Sequence, residues 1–330
     1  MRARLAGTRT ARWCYRIAAV LIGVGVVHLG VQAVVGGPWD GPVSWRKPVT
    51  FGLAFGLTLA TLGWVSGIMA GQWRARLLGV FAAACVVEVT VITTQAWRGV
   101  PSHFNTSTPL DATFAYIAAA GGAVILATSI GLAATTMRAH PDVPPSMRLA
   151  VRAGFATYLT TLVIGAVMIA IGVTAGRTVS QAAAYTAATE LKAGHFATMH
   201  GILVLPVLAW LAAHATWTEQ QRTSVVGIGC ACYVLAAGAV VVESVLGIEP
   251  LAAPALVPTG LGLLGLLTAG ASTLTAVADR RASSGGCKRR SGAYPGDSAD
   301  QQAGNPAREG NVPCPQTQIT AAPRAAHHEK

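Results

Sequence analysis

The chain has 330 residues, 52% of them hydrophobic and only 11% charged, too little polar surface to cover a soluble fold of that length. Its net charge of +11 does not indicate nucleic acid, because the basic residues cluster at the ends of apolar runs and form no face with interleaved aromatics. That placement suits anionic headgroups and makes a lipid bilayer the expected partner.

Residues 1–16 form a basic N-terminus with Arg2, Arg4, Arg9, Arg12 and Arg16. The apolar stretch that follows is closer to span length than to the shorter core of a cleaved secretory signal, so it reads as a retained first span. Eight apolar runs follow in chain order, at 17–35, 49–70, 77–96, 112–136, 153–175, 196–215, 225–246 and 255–277. Each approximates the ~20 residues a helix needs to cross a hydrocarbon core, and none alternates as a barrel strand does. The fold class expected is an all-α polytopic transmembrane bundle over 17–277. Arg74, Arg76, Arg138, Arg148, Arg152, Arg222 and the C-terminal Arg280, Arg281, Lys288, Arg289 and Arg290 share one side with the N-terminus. The other side holds only Arg46, Lys47, Arg98, Arg177 and Lys192, so the richer side, with both termini, is expected in the cytoplasm. Residues 278–330 turn to Gly, Ser, Pro and Gln without apolar periodicity and read as a disordered cytoplasmic tail.

The six cysteines fall in spans or cytoplasmic segments, so no disulfide is expected. Gly52-x-x-x-Gly56 in the second span predicts close approach of a neighbouring backbone.

Ionisable groups within spans are costly and mark interior or functional positions. These are His28, Glu88, His200, His214 and Glu243. Counted from the outer span ends at ~1.5 Å per residue, Glu243 lies ~5 Å deep, His200 ~6 Å, His28 ~10 Å and Glu88 ~12 Å. This shared depth makes Glu88, His103 and His200 the candidate catalytic residues. Glu88, Gln95 and Arg98 form a polar stripe on the third span, readable as an interhelical seam or as the wall of an outward-opening pocket. Arg46, Lys47, Gln95, Arg98, Asn105 and Glu243 are the candidate ligand-binding residues, the cations suiting a carboxylate or phosphate. Thr108-Pro109-Leu110-Asp111 reads as a helix start, which makes Asp111 a capping residue.

His200 and His214 lie ~21 Å apart along one helix, but the matching pair that two haems require is missing from every other span. A single haem between His200 and His28 or His103, and a metal held among His28, His103, His195 and His200 with Glu88 or Glu243, stay open. His195 and His200 are five apart and share no face of a regular helix, a constraint that a break at Gly194 would relax.

Three strings carry a resemblance: Arg46-Lys47-Pro48 through Gly52, then Gln95-Ala96-Trp97-Arg98-Gly99-Val100-Pro101-Ser102-His103-Phe104-Asn105, then Gly194-His195-x4-His200-Gly201. In this order they resemble a group of uncharacterised bacterial multipass membrane proteins. The resemblance implies a shared fold in the bacterial plasma membrane and an extracytoplasmic site, with no transferable activity. No nucleotide-binding loop, aspartate-rich prenyltransferase motif or H-E-x-x-H motif names an enzyme. An outward-facing His/Glu/Arg site for a small-molecule ligand, a transporter or proton-coupled permease using Glu88 and Glu243, and an accessory subunit awaiting a protein partner are the three readings carried forward.

Overall fold

The computed structural model describes residues 9–69, 71–137, 142–248 and 253–291, and helix is the only regular structure among them. In chain order these are α1 (Arg9–Val35), α2 (Arg46–Val65, extended by a 3-10 turn over Ser66–Ile68), α3 (Arg74–Trp97), α4 (Pro109–Met137), α5 (Pro145–Thr178), α6 (Gln181–Thr186), α7 (Lys192–Met199), α8 (Gly201–Ala212), α9 (Glu219–Val245) and α10 (Ala253–Ser291). Eight segments are long and apolar enough to cross a membrane, one for each run expected from the sequence. Helices satisfy their own backbone groups, the condition that a hydrocarbon environment sets. The exposed side chains are apolar too, among them Val20, Val27, Leu235 and Leu264, as on a lipid-facing surface.

Two boundaries depart from expectation. The sixth span is broken at His200, which ends α7 and starts α8, rather than at Gly194. Pro206 lies inside α8, where it lacks a backbone donor and crowds the preceding turn. The last helix runs on to Ser291, past the expected limit at 277, and continues through Gly285 and Gly286. The residues up to Val277 form one compact unit, and the end of the last helix belongs to another. His140 and the tail beyond Ser291 lie outside the described residues.

Small residues set the closest approaches. A Cβ on Gly52 would meet the Gly25 amide nitrogen and the Leu21 carbonyl at 2.8 Å, and one on Gly56 would meet the Ala18 carbonyl at 2.9 Å. The Gly52/Gly56 motif therefore packs α2 against α1, backbone to backbone. α3 and α4 run antiparallel, with Arg98 facing Asp111, Glu88 facing Gly121 and Leu77 facing Gly131. α5 packs against α7, α8 and α9, and Gly262 of α10 meets Ala236 and the Cys232 carbonyl of α9.

The two ends of the bundle differ chemically. At one end arginines cap helix C-termini: Arg152 donates to the Thr136 and Met137 carbonyls at 3.3 and 3.0 Å, and Arg222 to Ala215 at 3.1 Å. Glu219 accepts from the Ser146 amide at the start of α5. Arg76 lies over Trp73 at 4.8 Å, an arrangement suited to a headgroup zone. The other end gathers connections 36–45, 98–108 and 179–191, and most of the candidate residues lie there.

Candidate functional site

Trp45, Trp97 and His28 meet where α1, α2 and α3 end. The two indoles pack edge-to-face at 5.0 Å, and the imidazole lies about 6 Å from each ring. Trp97 Nε1–H donates to His28 Nε2 at 3.0 Å. An indole nitrogen can only donate, so His28 Nε2 is an acceptor and its Nδ1–H is the donor to the Val24 carbonyl at 2.8 Å. Both imidazole nitrogens are engaged, so His28 has none left for a metal or a haem iron.

The stripe on α3 resolves into an interhelical seam. Arg98 pairs with Asp111 at 2.6 Å, donates to Gln95 Oε1, and lies against the Phe114 ring. Gln95 donates from Nε2 to the same carboxylate at 3.1 Å. Thr108 donates to the other Asp111 oxygen at 2.7 Å and accepts from the Asp111 amide, which makes the expected cap. Asp111 is thus a cap and the counterion of Arg98 at once, the second role unseen in the sequence. Gln95 and Arg98, expected to meet a ligand, instead hold α4 to α3. Gly99, at φ +68°, supplies the left-handed turn that ends α3 and starts the loop.

Arg46 and Lys47 are arranged differently. The Arg46 guanidinium bonds the Trp39 carbonyl at 3.0 Å and pairs with the exposed Asp40 at 3.1 Å. Lys47 Nζ donates to the Pro42 carbonyl at 2.8 Å. Arg46, Lys47 and Lys192 lie within electrostatic reach of one another, and Lys47 also acts on His103. His103 sits between the Phe51 and Phe104 rings, with Nδ1 2.9 Å from Ser102 Oγ. Burial, and secondarily the Lys47 charge, push its pKa down to about 4. Pro42, Ser44, Lys47 and Ser102 line a narrow crevice.

The loop around His103 is anchored under strain. Phe104 has φ +62°, a left-handed conformation that costs a non-glycine residue about 1 kcal/mol or more. Its ring fills the space above Gly172 of α5, and its carbonyl accepts from Gln181 of α6. Asn105 is buried and accepts from the Ser107 amide and hydroxyl, so its carboxamide oxygen shapes the loop.

The remaining candidates face elsewhere. His195 Nδ1 lies 2.9 Å from the Thr161 carbonyl, and Thr161 donates to the His195 carbonyl at 2.5 Å, which ties α7 to α5. Gly194 donates its amide to Ser244 Oγ at 3.0 Å, and Tyr233 donates to the Ala197 carbonyl at 2.5 Å, which ties α7 to α9. His200 packs on Phe196 of its own helix at 4.3 Å. Glu243 is buried on α9, which packs against α7, α5 and α8, whereas Glu88 is buried against α4. Equal depth therefore does not bring these side chains together: His28, Glu88, His200 and Glu243 have different neighbours. Among the described residues no three His, Cys, Asp or Glu side chains gather where an ion could sit, and His28, His103, His195 and His200 each have their own neighbours. His28, with both imidazole nitrogens engaged, offers none to a haem iron.

Sequence reasoning missed Asp40, Lys192 and Gln181 at this end. Asp40 and Gln181 lie in connections with no motif, and Lys192, counted only for topology, lies 145 positions from Lys47. The chain matches no family model, no curated protein and no solved structure.

Proposed function

We propose that this integral membrane protein binds a small anionic group, a carboxylate or phosphate, at the end of the bundle that gathers Arg46, Lys47, Lys192 and His103. One observation carries the reading: three cations from two separate helices, Arg46, Lys47 and Lys192, lie within electrostatic reach of one another, and the acid that pairs with Arg46 among the described residues is the exposed Asp40. Like charges brought together at a membrane boundary repel, so their convergence calls for an anion. An arginine fork and two ammonium groups suit oxygen anions. The strained Phe104 beside them fits a binding loop, since backbone strain concentrates at such sites.

This end faces away from the cytoplasm of a bacterial plasma membrane, as the arginine excess at the opposite end supports. The likeness to bacterial multipass proteins in the 46–52, 95–105 and 194–201 strings supports the same placement. The test is titration of the detergent-purified protein with inorganic phosphate and with acetate, read by calorimetry. Saturable binding should weaken about tenfold in Lys47→Gln and in Lys192→Gln, the loss of one charge-assisted contact. Arg98→Gln should leave affinity unchanged, because Arg98 belongs to the α3–α4 seam. Absence of binding by either anion, or equal loss in all three variants, overturns the reading.

A further inference from the structure

Glu88 has no part in the loop-end cluster. It sits on α3, 3% exposed, with its carboxyl pressed into α4 where two successive glycines leave room. A Cβ on Gly121 would lie 2.6 Å from Oε1, so any other residue there would evict the acid. One carboxyl oxygen approaches the Gly122 backbone, and the other, Oε2, is buried without a hydrogen-bond partner. We propose that Glu88 is a proton-binding site of the membrane interior: a neutral acid seated in the Gly121–Gly122 notch, which must leave the notch to ionise.

The surroundings support a neutral acid. The titratable groups on elements packed against α3 are Cys14, Tyr15, His28 and the exposed Arg9, Arg12 and Arg16 on α1, Arg46 and Lys47 at the start of α2, and Asp111 and Tyr116 on α4, with Arg74 and Arg76 in the first turn of α3 and Cys85 further along it. Cys85 interacts electrostatically with Glu88, and Cys14 and Tyr158 of α5 interact with Cys85; none of the three is a cation. His28 is bound to Trp97, nine residues or about 13 Å further along the axis. Arg98 and Asp111 neutralise each other at the end of the seam. A carboxylate left in the notch would be a buried charge with one oxygen unsatisfied, which proteins avoid by keeping the proton or by moving the group to water. The glycine pair makes movement feasible, because no side chain locks the acid in place.

The probe is N,N′-dicyclohexylcarbodiimide, which enters apolar regions and reacts with protonated carboxyls. It is applied to the full-length protein in phosphatidylcholine liposomes, and the adduct is mapped by mass spectrometry across a pH series. The adduct should form on Glu88 and fall about tenfold as pH rises and the acid ionises. Infrared spectroscopy should show a protonated-acid carbonyl band that Glu88→Gln removes. Gly121→Ala, by displacing the carboxyl, should shift the fall in labelling to lower pH. An unlabelled Glu88, labelling confined to Glu243, or labelling of Glu88 that ignores pH overturns the proposal. None of these outcomes depends on anion binding at the loop end.

Discussion

Trp97 lies at a span end, where indoles usually serve only as interfacial anchors, yet its N–H is directed inward at a buried imidazole. Trp97→Phe would keep the ring contact with Trp45 and leave His28 Nε2 without a donor. An orphaned buried acceptor costs about 1–3 kcal/mol, so thermal unfolding in detergent should show a clear fall in Tm, with a smaller fall for the double variant Trp97→Phe with His28→Phe, which removes both partners together. His103 makes a different prediction, because its folded pKa, about 4, lies below the ordinary value of 6.5. Between those values the unfolded chain binds more protons than the folded one, so stability is fully present above pH 6.5 and declines as pH falls toward 4. A pH series of unfolding midpoints should show this decline, and His103→Gln should flatten it. Both residues were named by the sequence as ligands or catalysts. Their roles were illegible because the deciding neighbours, Trp97 for His28 and Phe51 in the packing that buries His103, lie 69 and 52 positions away.

At the scale of helices, the α1–α2 pair rests on glycines whose missing side chains let two backbones touch. Gly52→Ala would drive a methyl into the Gly25 amide and the Leu21 carbonyl, atoms that cannot rotate away. Overpacking of this kind costs about 1–3 kcal/mol, measurable as a lower Tm. Gly23→Ala, on the same helix pair with nothing within 4 Å of the added methyl, should instead be neutral or stabilise by about 0.5–1 kcal/mol through helix propensity. The contrast separates packing from propensity with one substitution chemistry. The Gly52/Gly56 contact was legible as a motif and its partner was not, because small residues permit approach without choosing the neighbour. The α3 stripe was legible in the same partial way: spacing put Glu88, Gln95 and Arg98 on one face, and only the antiparallel register with α4 shows Asp111 and the Gly121–Gly122 notch opposite them. The break considered at Gly194 lies six residues before the one at His200, because Gly194 disfavours a helix only weakly, whereas Pro206 acts through the turn that precedes it.

For the whole molecule, the eight runs were legible because hydrocarbon imposes length and apolarity on every span without regard to neighbours. The arrangement of the spans depends on pairwise fits that composition does not record, so a set of polar groups at one depth proved to be several unrelated contacts. Which end faces the cytoplasm is likewise a property of the whole chain, set by charge summed over all connections. The arginine-rich end satisfies its own charges with helix carbonyls and indoles, whereas the opposite end carries the strained loop and the converging Arg46, Lys47 and Lys192. With the arginine-rich end inside, cysteine introduced at Asp40 or Ser107 reacts with a membrane-impermeant maleimide in intact cells, and cysteine at Gln72 or Gln220 reacts only after lysis. The background requires the half-buried Cys232 and also Cys287 and Cys314 to be replaced, whereas Cys14, Cys85 and Cys230 are buried and should stay silent. The reverse pattern would place the basic cluster in the cytoplasm, where its anion would have to be an intracellular one. Labelling of both sets in intact cells would show that the connections do not alternate across the membrane.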